Sequence, residues 1–315
     1  MVEIVSPKGF TYRSILTPVG FDILSATEED LARYGLPSRS RSPGFAEAYS
    51  RIFGQGGKKA RSIDSPLEFR PDIRCRRPEN RTAIKSESGA DTAIMSKNWC
   101  GAVTTAAQGM MWETLTCGFK VPRVEAPPSL PAGQTSYCTI WGGLDGAETV
   151  DVVQGGVMCT ATTTSETYSA WYEWYPDPLV VVPGLKVSPG DVVLVWIVIA
   201  GTVPGDQSAI VTIYNTTADT NASYEITPPP GIVFQGDTAE WIVERPAING
   251  VDSILANYGS VELDTCDALY TQYWYDQKAY GPGDGQLWWM YDDTYSTMIS
   301  KSYLIEKYTV QCDYL

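Results

Sequence analysis

From position 98 onward, the chain consists of short apolar runs in which hydrophobic and polar residues alternate. The runs are rich in Val, Ile, Thr, Tyr and Trp and are separated by Gly/Pro turns; they include TSYCTIWGG, TVDVVQGGVMCTAT, YSAWYEWYP, DVVLVWIVIAG, SAIVTIYN and AEWIVE. Because a strand places alternate residues on opposite faces, this period is typical of β-strands, and hardly any helical period accompanies it. SPGD at 188–191 has the composition of a hairpin turn. The pattern predicts an all-β sandwich or barrel.

The first 97 residues have a different residue pattern, and we predict that they form a partly helical leader. Ser25-Ala26-Thr27-Glu28 has the form of a capping box before EEDLARY, and Gly35 supplies a stop. A second short helix is predicted for GFAEAYSRIF at 44–53. From 54 to 97 the chain is basic and polar with little periodicity, which is a linker composition and favours proteolysis.

The chain is therefore predicted to have three parts. The leader spans 1–97, the β-sandwich spans 98–267, and an aromatic-rich C-terminal extension at 268–315 packs on the sandwich. The extension is rich in Tyr and Trp and contains the loop YGPGDGQ, so it could add edge strands or a small cap.

Charge is divided unevenly between these parts. The net charge is −14, and residues 1–97 hold 16 of the 23 Lys and Arg but 12 of the 37 Asp and Glu, which leaves +4 for the leader and −18 for the rest. An acidic body makes nucleic acid an unfavourable partner. No apolar run approaches the ~18 residues of a membrane span, so no membrane partner is expected. The basic leader is interpreted either as a solvated tail or as an arm that docks on the acidic body.

The residue inventory excludes several classes of chemistry. Histidine is absent, which excludes Ser-His and Cys-His nucleophilic centres and His-ligated metal sites. The seven cysteines lack metal-ligand spacing, and GQGGKKA at 54–60 lacks the order of a phosphate-binding loop. We therefore expect no metal and no cofactor. Any catalysis must come from carboxylates, amides, hydroxyls or thiols.

Alternation along three strands brings such groups onto common faces. In AEWIVE, Glu240, Ile242 and Glu244 share one face, and Glu173 occupies a face of YSAWYEWY that also carries aromatics. Gln154 is followed by two glycines, which would leave room for a substrate or another backbone. A face carrying Gln, Glu and Trp suits a groove that binds a polymer. An ordinary solvated sheet face remains the alternative.

An ordered series of motifs resembles the glutamic peptidases, the eqolisin family. The series is NWCGAV, IWGGLDG, VVQGG, YSAWYEWYP, SPGD, AEWIVERP and NYGSV, and it covers roughly 98–265. The leader segment GFDILSATEEDLARYGLPSR is similar to prosegments of this family. The resemblance implies a concanavalin A-like sandwich of two antiparallel sheets with the site on a concave face. It also implies a monomeric acid endopeptidase that acts on polypeptides.

The resemblance assigns roles to individual residues. It makes Gln154 and Glu244 the catalytic pair, with four further residues that line or support the site: Trp141, Asp145, Glu173 and Tyr175. Glu244 would take a proton from the attacking water and return it to the leaving amine. The Gln154 amide would donate a hydrogen bond to the developing oxyanion. The leader would be a prosegment that covers the acidic body near neutral pH and is shed in acid by cleavage between about 54 and 97.

The chain departs from the family pattern at several points. Cys100 replaces a small residue in NWCGAV, Gly143 follows Gly142 in IWGGLDG, and the chain after 267 lies outside the recognised core. The family is typically secreted, whereas MVEIVSPKGF has no apolar signal core. Two alternatives stay open: a non-catalytic sandwich that binds peptide or glycan on an aromatic-lined sheet, and an enzyme with a different reaction on this scaffold.

Overall fold

The computed structural model describes residues 3–34, 36, 61–78, 82–85, 92–201, 207–270 and 279–315. Its strands, β1 to β23 in chain order, are Glu3–Val5, Thr11–Ile15, Arg61–Ser62, Glu68–Arg70, Ile73–Arg74, Thr82–Lys85, Thr92–Ser96, Trp99–Thr105, Trp112–Lys120, Ser136–Leu144, Val152–Ala161, Glu166–Tyr175, Leu179–Val181, Val192–Ala200, Ser208–Asn215, Thr220–Thr227, Thr238–Glu244, Ala247–Ile248, Val251–Asp252, Ser260–Tyr270, Gln286–Tyr291, Met298–Glu306 and Thr309–Tyr314. Helix α1 is Glu28–Arg33, and a short 3-10 helix is Pro282–Asp284.

The strands form two layers of mostly antiparallel sheet. The front layer runs β4-β13-β12-β11-β10-β17-β8-β21. The back layer runs β1-β2-β16-β15-β14-β9-β20-β23. Strand β22 pairs with both β21 and β23 and so joins the two layers along one side. The predicted all-β sandwich of antiparallel sheets is confirmed.

The core lies between the layers and is closely packed. Trp241 of β17 is buried and donates its indole N–H to the Thr116 carbonyl of β9 at 2.7 Å. A Cβ added to Gly142 of β10 would fall 2.7 Å from side-chain carbons of both Leu115 and Cys117. Interiors at this density tolerate little added volume, so glycine at 142 lets the two layers approach.

Alternation predicted the strands of this region well. SAIVTIYN coincides with β15, and AEWIVE lies within β17. A turn forms at 188–191, where the Asp191 N–H donates to the Ser188 carbonyl at 3.1 Å, but the hairpin expected there is wrong: residues 185–187 form no strand, and β14 pairs with β15 and β9. Gly190 occupies a left-handed conformation there, with φ +91°, as glycine does most readily.

The C-terminal segment belongs to the same sheets. The predicted boundary at 267 falls inside β20, which pairs with β9. Strands β21 to β23 pair with β8, β7 and β20, so this segment contributes strands to both layers. Its indoles are packed inside: Trp288 and Trp289 are 3% and 2% exposed.

The described part of the leader wraps around the sandwich. Strand β2 extends the back layer by pairing with β16. Helix α1 lies close to the predicted position, but its cap is Thr27, whose hydroxyl accepts the Asp30 N–H, rather than Ser25. Leu31 of this helix packs in an apolar cluster with Trp196 and Tyr214 of the back layer. The predicted helix at 44–53 lies outside the described residues.

The stretch from 61 to 78 is ordered by the body and is not an extended linker. Strand β3 pairs with β16, β4 with β13, and β5 with β18. Each of these three strands is two or three residues long, so alternation along the sequence could not have revealed it. The partner strands supply the hydrogen bonds, and they lie more than a hundred residues away.

Candidate active site

Gln154, Glu173 and Glu244 lie on the outer face of the front layer. Gln154 of β11 is directly opposite Glu173 of β12, and Glu244 ends β17 opposite Thr139 of β10. All three predicted side chains are fully buried, because residues of the leader cross this face above them. Alternation had placed each one correctly on its own strand. The strand pairing brings the three strands together.

Gln154 has a defined amide orientation. Its Nε2 donates to the Cys75 carbonyl of the leader at 2.7 Å and to Glu173 Oε2 at 3.2 Å. Since both partners are acceptors, the nitrogen of the amide must be the atom that faces them. The Gln154 Oε1 has no hydrogen-bond partner among the described residues. Gln154 therefore has a donor nitrogen engaged in two hydrogen bonds and an acceptor oxygen with none among the described residues.

Glu244 is surrounded by N–H donors. Its Oε2 accepts the Trp141 indole N–H at 3.0 Å. Its Oε1 accepts the Asn98 amide at 3.0 Å and the backbone N–H of Arg76 at 3.1 Å. Burial raises the pKa of Glu244 well above its ordinary value, and these three donors act against that rise by stabilising the carboxylate. The carboxyl is thus held in a fixed direction, facing a peptide N–H.

Glu173 links Gln154 to the leader. Its Oε2 accepts the Gln154 Nε2 and also the backbone N–H of Cys75 at 3.1 Å. Burial raises the pKa of Glu173 well above its ordinary value, the Cys75 N–H lowers it, and the nearby Glu244 raises it further. A carboxyl that shares its site with a second one titrates together with it. Tyr175 lies two residues along the same face and is half-buried.

Asp145 is not brought to this group by any described contact. It lies in the loop after β10 with φ +67°, and its carboxyl accepts the backbone N–H groups of Gln235 and Asp237 at 2.9 and 2.7 Å. Burial raises the pKa of Asp145 to about 7, and those N–H groups work in the opposite direction. Its contacts hold the loop before β17. Any support of Glu244 by Asp145 would pass through the position of that strand.

Of the two neighbours expected beside the glycines after Gln154, a substrate or another backbone, the structure shows another backbone. A Cβ at Gly156 would fall 2.0 Å from the Ile140 carbonyl and 2.7 Å from the Trp141 Cβ. A Cβ at Gly155 would meet Val211 at 2.8 Å on the core side. The glycines therefore admit neighbouring parts of the protein itself. At 156 they allow Trp141 to stand beside Glu244.

Three site residues were missed by the sequence analysis. Asn98 opens the motif NWCGAV and binds Glu244, and Thr139 donates its hydroxyl to the Glu244 carbonyl at 3.2 Å. Asp252 of β19 forms an ion pair with the leader side chain of Arg76. Asn98 was within a recognised motif, so a polar residue at a strand start was an available signal. Nothing local distinguishes Thr139 or Asp252.

Within the described residues, no group of three or more Cys, Asp or Glu side chains is arranged to hold a metal ion. All seven cysteines are buried free thiols. None of the helices in the described part of the chain is long and apolar enough to cross a membrane. The reactive groups around Gln154 and Glu244 are therefore two carboxyls and one amide.

Comparison with known proteins identifies relatives of the chain. The model of the peptidase A4 family matches residues 97–314. Aspergillopepsin-2 of Aspergillus niger is 30% identical over 213 residues, which cover 61% of this chain and 71% of the relative. Scytalidopepsin B of Scytalidium lignicola is 27% identical over 206 residues, which cover 58% of this chain and 72% of the relative.

Solved structures share the fold. A crystal structure of scytalido-glutamic peptidase with a transition state analog inhibitor matches with a TM-score of 0.57 and 22% identity, covering 70% of this chain and 98% of that chain. A structure of SCP-B, a member of the eqolisin family, in complex with the tripeptide Ala-Ile-His matches with a TM-score of 0.54, 20% identity and the same coverage. At these identities the likeness establishes the fold.

Proposed function

The chain belongs to the peptidase A4 family of glutamic peptidases, and on that premise we propose that it is an acid-acting endopeptidase with Gln154 and Glu244 as its catalytic pair. One observation carries the proposal. The two side chains contact the same peptide unit, Gln154 at the carbonyl oxygen of Cys75 and Glu244 at the N–H of Arg76. These are the two ends of a peptide bond that hydrolysis must activate.

Glu244 is the general base and then the general acid. As a carboxylate it takes a proton from a water molecule that attacks the carbonyl carbon, and it returns the proton to the leaving nitrogen. Its Oε1 already lies 3.1 Å from such a nitrogen, within the reach of direct proton transfer. Glu244 alone can therefore carry out both proton transfers.

Gln154 stabilises the oxyanion. Its Nε2 donates to the carbonyl oxygen at 2.7 Å, and this bond strengthens as charge develops on the oxygen. Glu173 accepts from the same nitrogen and so keeps the amide turned in the productive direction. The Gln154 Oε1 supplies an acceptor that can orient the attacking water.

Residues 1–97 are then the prosegment of a monomeric enzyme with a concanavalin A-like sandwich. Backbone atoms of the leader occupy the groups that would bind a substrate, so the uncleaved chain is blocked. Four basic residues of the leader, Arg39, Arg41, Lys58 and Lys59, lie outside the described residues, and Arg61 is exposed in β3. Two other leader arginines, Arg13 and Arg76, form ion pairs with body carboxylates.

Acid acts on this arrangement in two ways. Asp and Glu in solvent have pKa values near 3.9 and 4.3, so acid removes negative charge from the body. The leader arginines keep their positive charge, and the attraction between leader and body weakens. Departure of the leader exposes Glu244, and with less burial the pKa of Glu244 falls towards its ordinary range. A larger fraction of Glu244 is then ionised in acid than while the leader covers it.

Digestion of a denatured protein between pH 2 and 7 tests the proposal. We expect wild type to digest it in the acid part of this range, and Glu244→Gln to leave it intact at every pH. A non-catalytic sandwich would bind unfolded peptide, since the same groups hold the leader backbone, but would cut none. Digestion that is equal in both proteins, or absent from both, would contradict the proposal.

A matched pair of tryptophan variants tests the environment of Glu244. Trp141→Phe removes a donor that stabilises the carboxylate, so the pKa of Glu244 should rise and the acid limb of kcat/KM should move to higher pH. Trp171 is also fully buried on this face, but its indole N–H has no partner among the described residues. Trp171→Phe should therefore lose packing without moving the acid limb. Equal movement in both variants would argue against direct control by Trp141.

A further inference from the structure

We infer that the leader is bound as a substrate, that the chain hydrolyses its own peptide bond between Cys75 and Arg76, and that Asp252 selects the arginine on the leaving side of that bond. The inference rests on the proposed function and adds a defined scissile bond and a specificity-determining residue.

All four backbone polar groups of the Cys75-Arg76 dipeptide are bound by side chains of the site. The Cys75 N–H donates to Glu173 and its carbonyl accepts from Gln154, at 3.1 and 2.7 Å. The Arg76 N–H donates to Glu244 at 3.1 Å, and its carbonyl accepts the Asn98 amide at 2.8 Å. These four contacts involve only backbone atoms of the leader, so they would hold any sequence and fix the position of the bond. Any preference for particular residues must come from contacts to the leader side chains.

Strand pairing sets which bond arrives at the pair. Strand β4 adds to the edge of the front layer beside β13. Strand β5 follows at once and pairs with β18, with Ile73 opposite Ile248 and Arg74 opposite Ala247. Arg74 is the residue before Cys75, so the register of β5 delivers the next peptide unit to Gln154 and Glu244. A slip by one residue would reverse the faces of the leader side chains.

The arginine on the leaving side is paired with Asp252, which also lies 4.0 Å from the guanidinium of Arg245. The Arg76 guanidinium lies 3.2 Å from Asp252 Oδ1, and the two side chains are only 23% and 14% exposed. Asp252 is in β19, which pairs with the same strand β18 that holds β5, so its position is coupled to the bound peptide. The next residue, Arg77, is exposed, and within the described residues its side chain donates only to the Thr149 carbonyl, at 3.3 Å. Selection therefore falls on the first residue after the bond.

The acyl side favours a small residue. The Cys75 side chain is fully buried, and its thiol donates to the Thr139 hydroxyl at 3.6 Å. It belongs to the apolar cluster that contains Trp99 and Trp141, which fill the surrounding space. The favoured bond thus joins a small residue to an arginine.

Hydrolysis at this bond is balanced with water as the only co-reactant. The water oxygen bonds to the Cys75 carbonyl carbon, and its proton passes to Glu244 in its ionised form, which the three N–H donors stabilise while the leader is bound. The bond from that carbon to the Arg76 nitrogen breaks, and the nitrogen receives the proton. The products are a chain that ends in the Cys75 carboxyl and a chain that begins with Arg76, and nothing is oxidised or reduced.

The first experiment follows the full-length chain by intact mass and N-terminal sequencing at pH 3 to 6. We expect fragments 1–75 and 76–315 from wild type and an uncut chain from Glu244→Gln. Arg76→Gln should slow this cut at least tenfold, whereas the matched change Arg77→Gln should slow it less than about threefold. A dominant first cut elsewhere, or equal effects of the two glutamines, would overturn the inference.

The second experiment separates Asp252 from general stability and from the proposed function. Acid-released enzyme is given two synthetic peptides, RPDIRCRRP and the same peptide with glutamine at position 76. Asp252→Asn should lose the preference for the arginine peptide, mainly through KM, so that the ratio of kcat/KM between the two peptides falls towards one in the same enzyme preparation. If the enzyme digests denatured protein but ignores RPDIRCRRP, the inference fails and the proposed function stands. If Glu244-dependent digestion is absent altogether, both fail.

Discussion

Glu244→Gln is expected to lower kcat by about 1000-fold or more, because glutamine keeps the shape of the side chain but cannot accept and return a proton. Gln154→Ala should lower kcat by about 100- to 1000-fold, the usual effect of removing one oxyanion donor. The two residues act on one peptide bond, so the double variant should lose little more than Glu244→Gln alone. Initial rates on RPDIRCRRP and on a denatured protein, after removal of the leader, give these values.

Two checks make this expectation decisive. Glu262 is an exposed carboxylate on β20 of the back layer, so Glu262→Gln should keep full activity. Near-ultraviolet circular dichroism should show native packing in every variant. If Glu244→Ala or Gln154→Ala keeps more than about a tenth of wild-type kcat, less than ~1.4 kcal/mol of the barrier depends on that residue, and it is not catalytic.

Alternation of side chains carried most of what could be predicted about the front layer. It identified β10, β11, β12 and β17 and placed Gln154, Glu173 and Glu244 on the correct faces, because a period of two is a property of each strand alone. Which strands pair with a given strand, in contrast, is not determined by the sequence of that strand alone. Trp141 reaches Glu244 only because β10 pairs with β17, more than ninety residues further along the chain.

The path of the leader lay beyond sequence analysis for the same reason. Residues 68–76 have no period that differs from a basic linker, and their strands exist because β13 and β18 provide edges for them. Asp145 shows a limit of assigning roles by resemblance. The resemblance assigned it to the site, but its described hydrogen bonds go to a loop, and only coordinates could separate these two roles.

Stability should fall as the pH rises from about 4 to 7, opposite to the behaviour of a protein whose carboxylates form favourable ion pairs. Five carboxyls of the described residues are 0% exposed, and burial raises the pKa of each: Asp145, Glu173, Asp177, Glu240 and Glu244. In the unfolded chain they ionise near their ordinary values. Between those values and the raised ones, the folded state binds more protons than the unfolded state, so the free energy of unfolding decreases with pH.

The size of the decrease can be bounded from Asp145. A rise from 3.8 to about 7 corresponds to about 4 kcal/mol, which is fully present below pH 3.8 and lost as the pH rises towards 7. The pKa of Asp72 and that of Asp292 are lowered and work in the opposite sense, but both residues are near the surface, where solvent screens them. The reduced negative charge of the body in acid adds to the stabilisation, since the chain carries −14 near neutral pH.

Urea unfolding at pH 4 and pH 7 measures this difference, with Glu244→Gln as the background so that self-cleavage does not interfere. We expect a higher free energy of unfolding at pH 4, by several kcal/mol. Asp145→Asn in the same background should narrow the gap, because asparagine keeps an acceptor for the Gln235 and Asp237 N–H groups but cannot ionise. A chain that is more stable at pH 7 would mean that these carboxyls are ionised in the folded protein, with their hydrogen bonds outweighing burial.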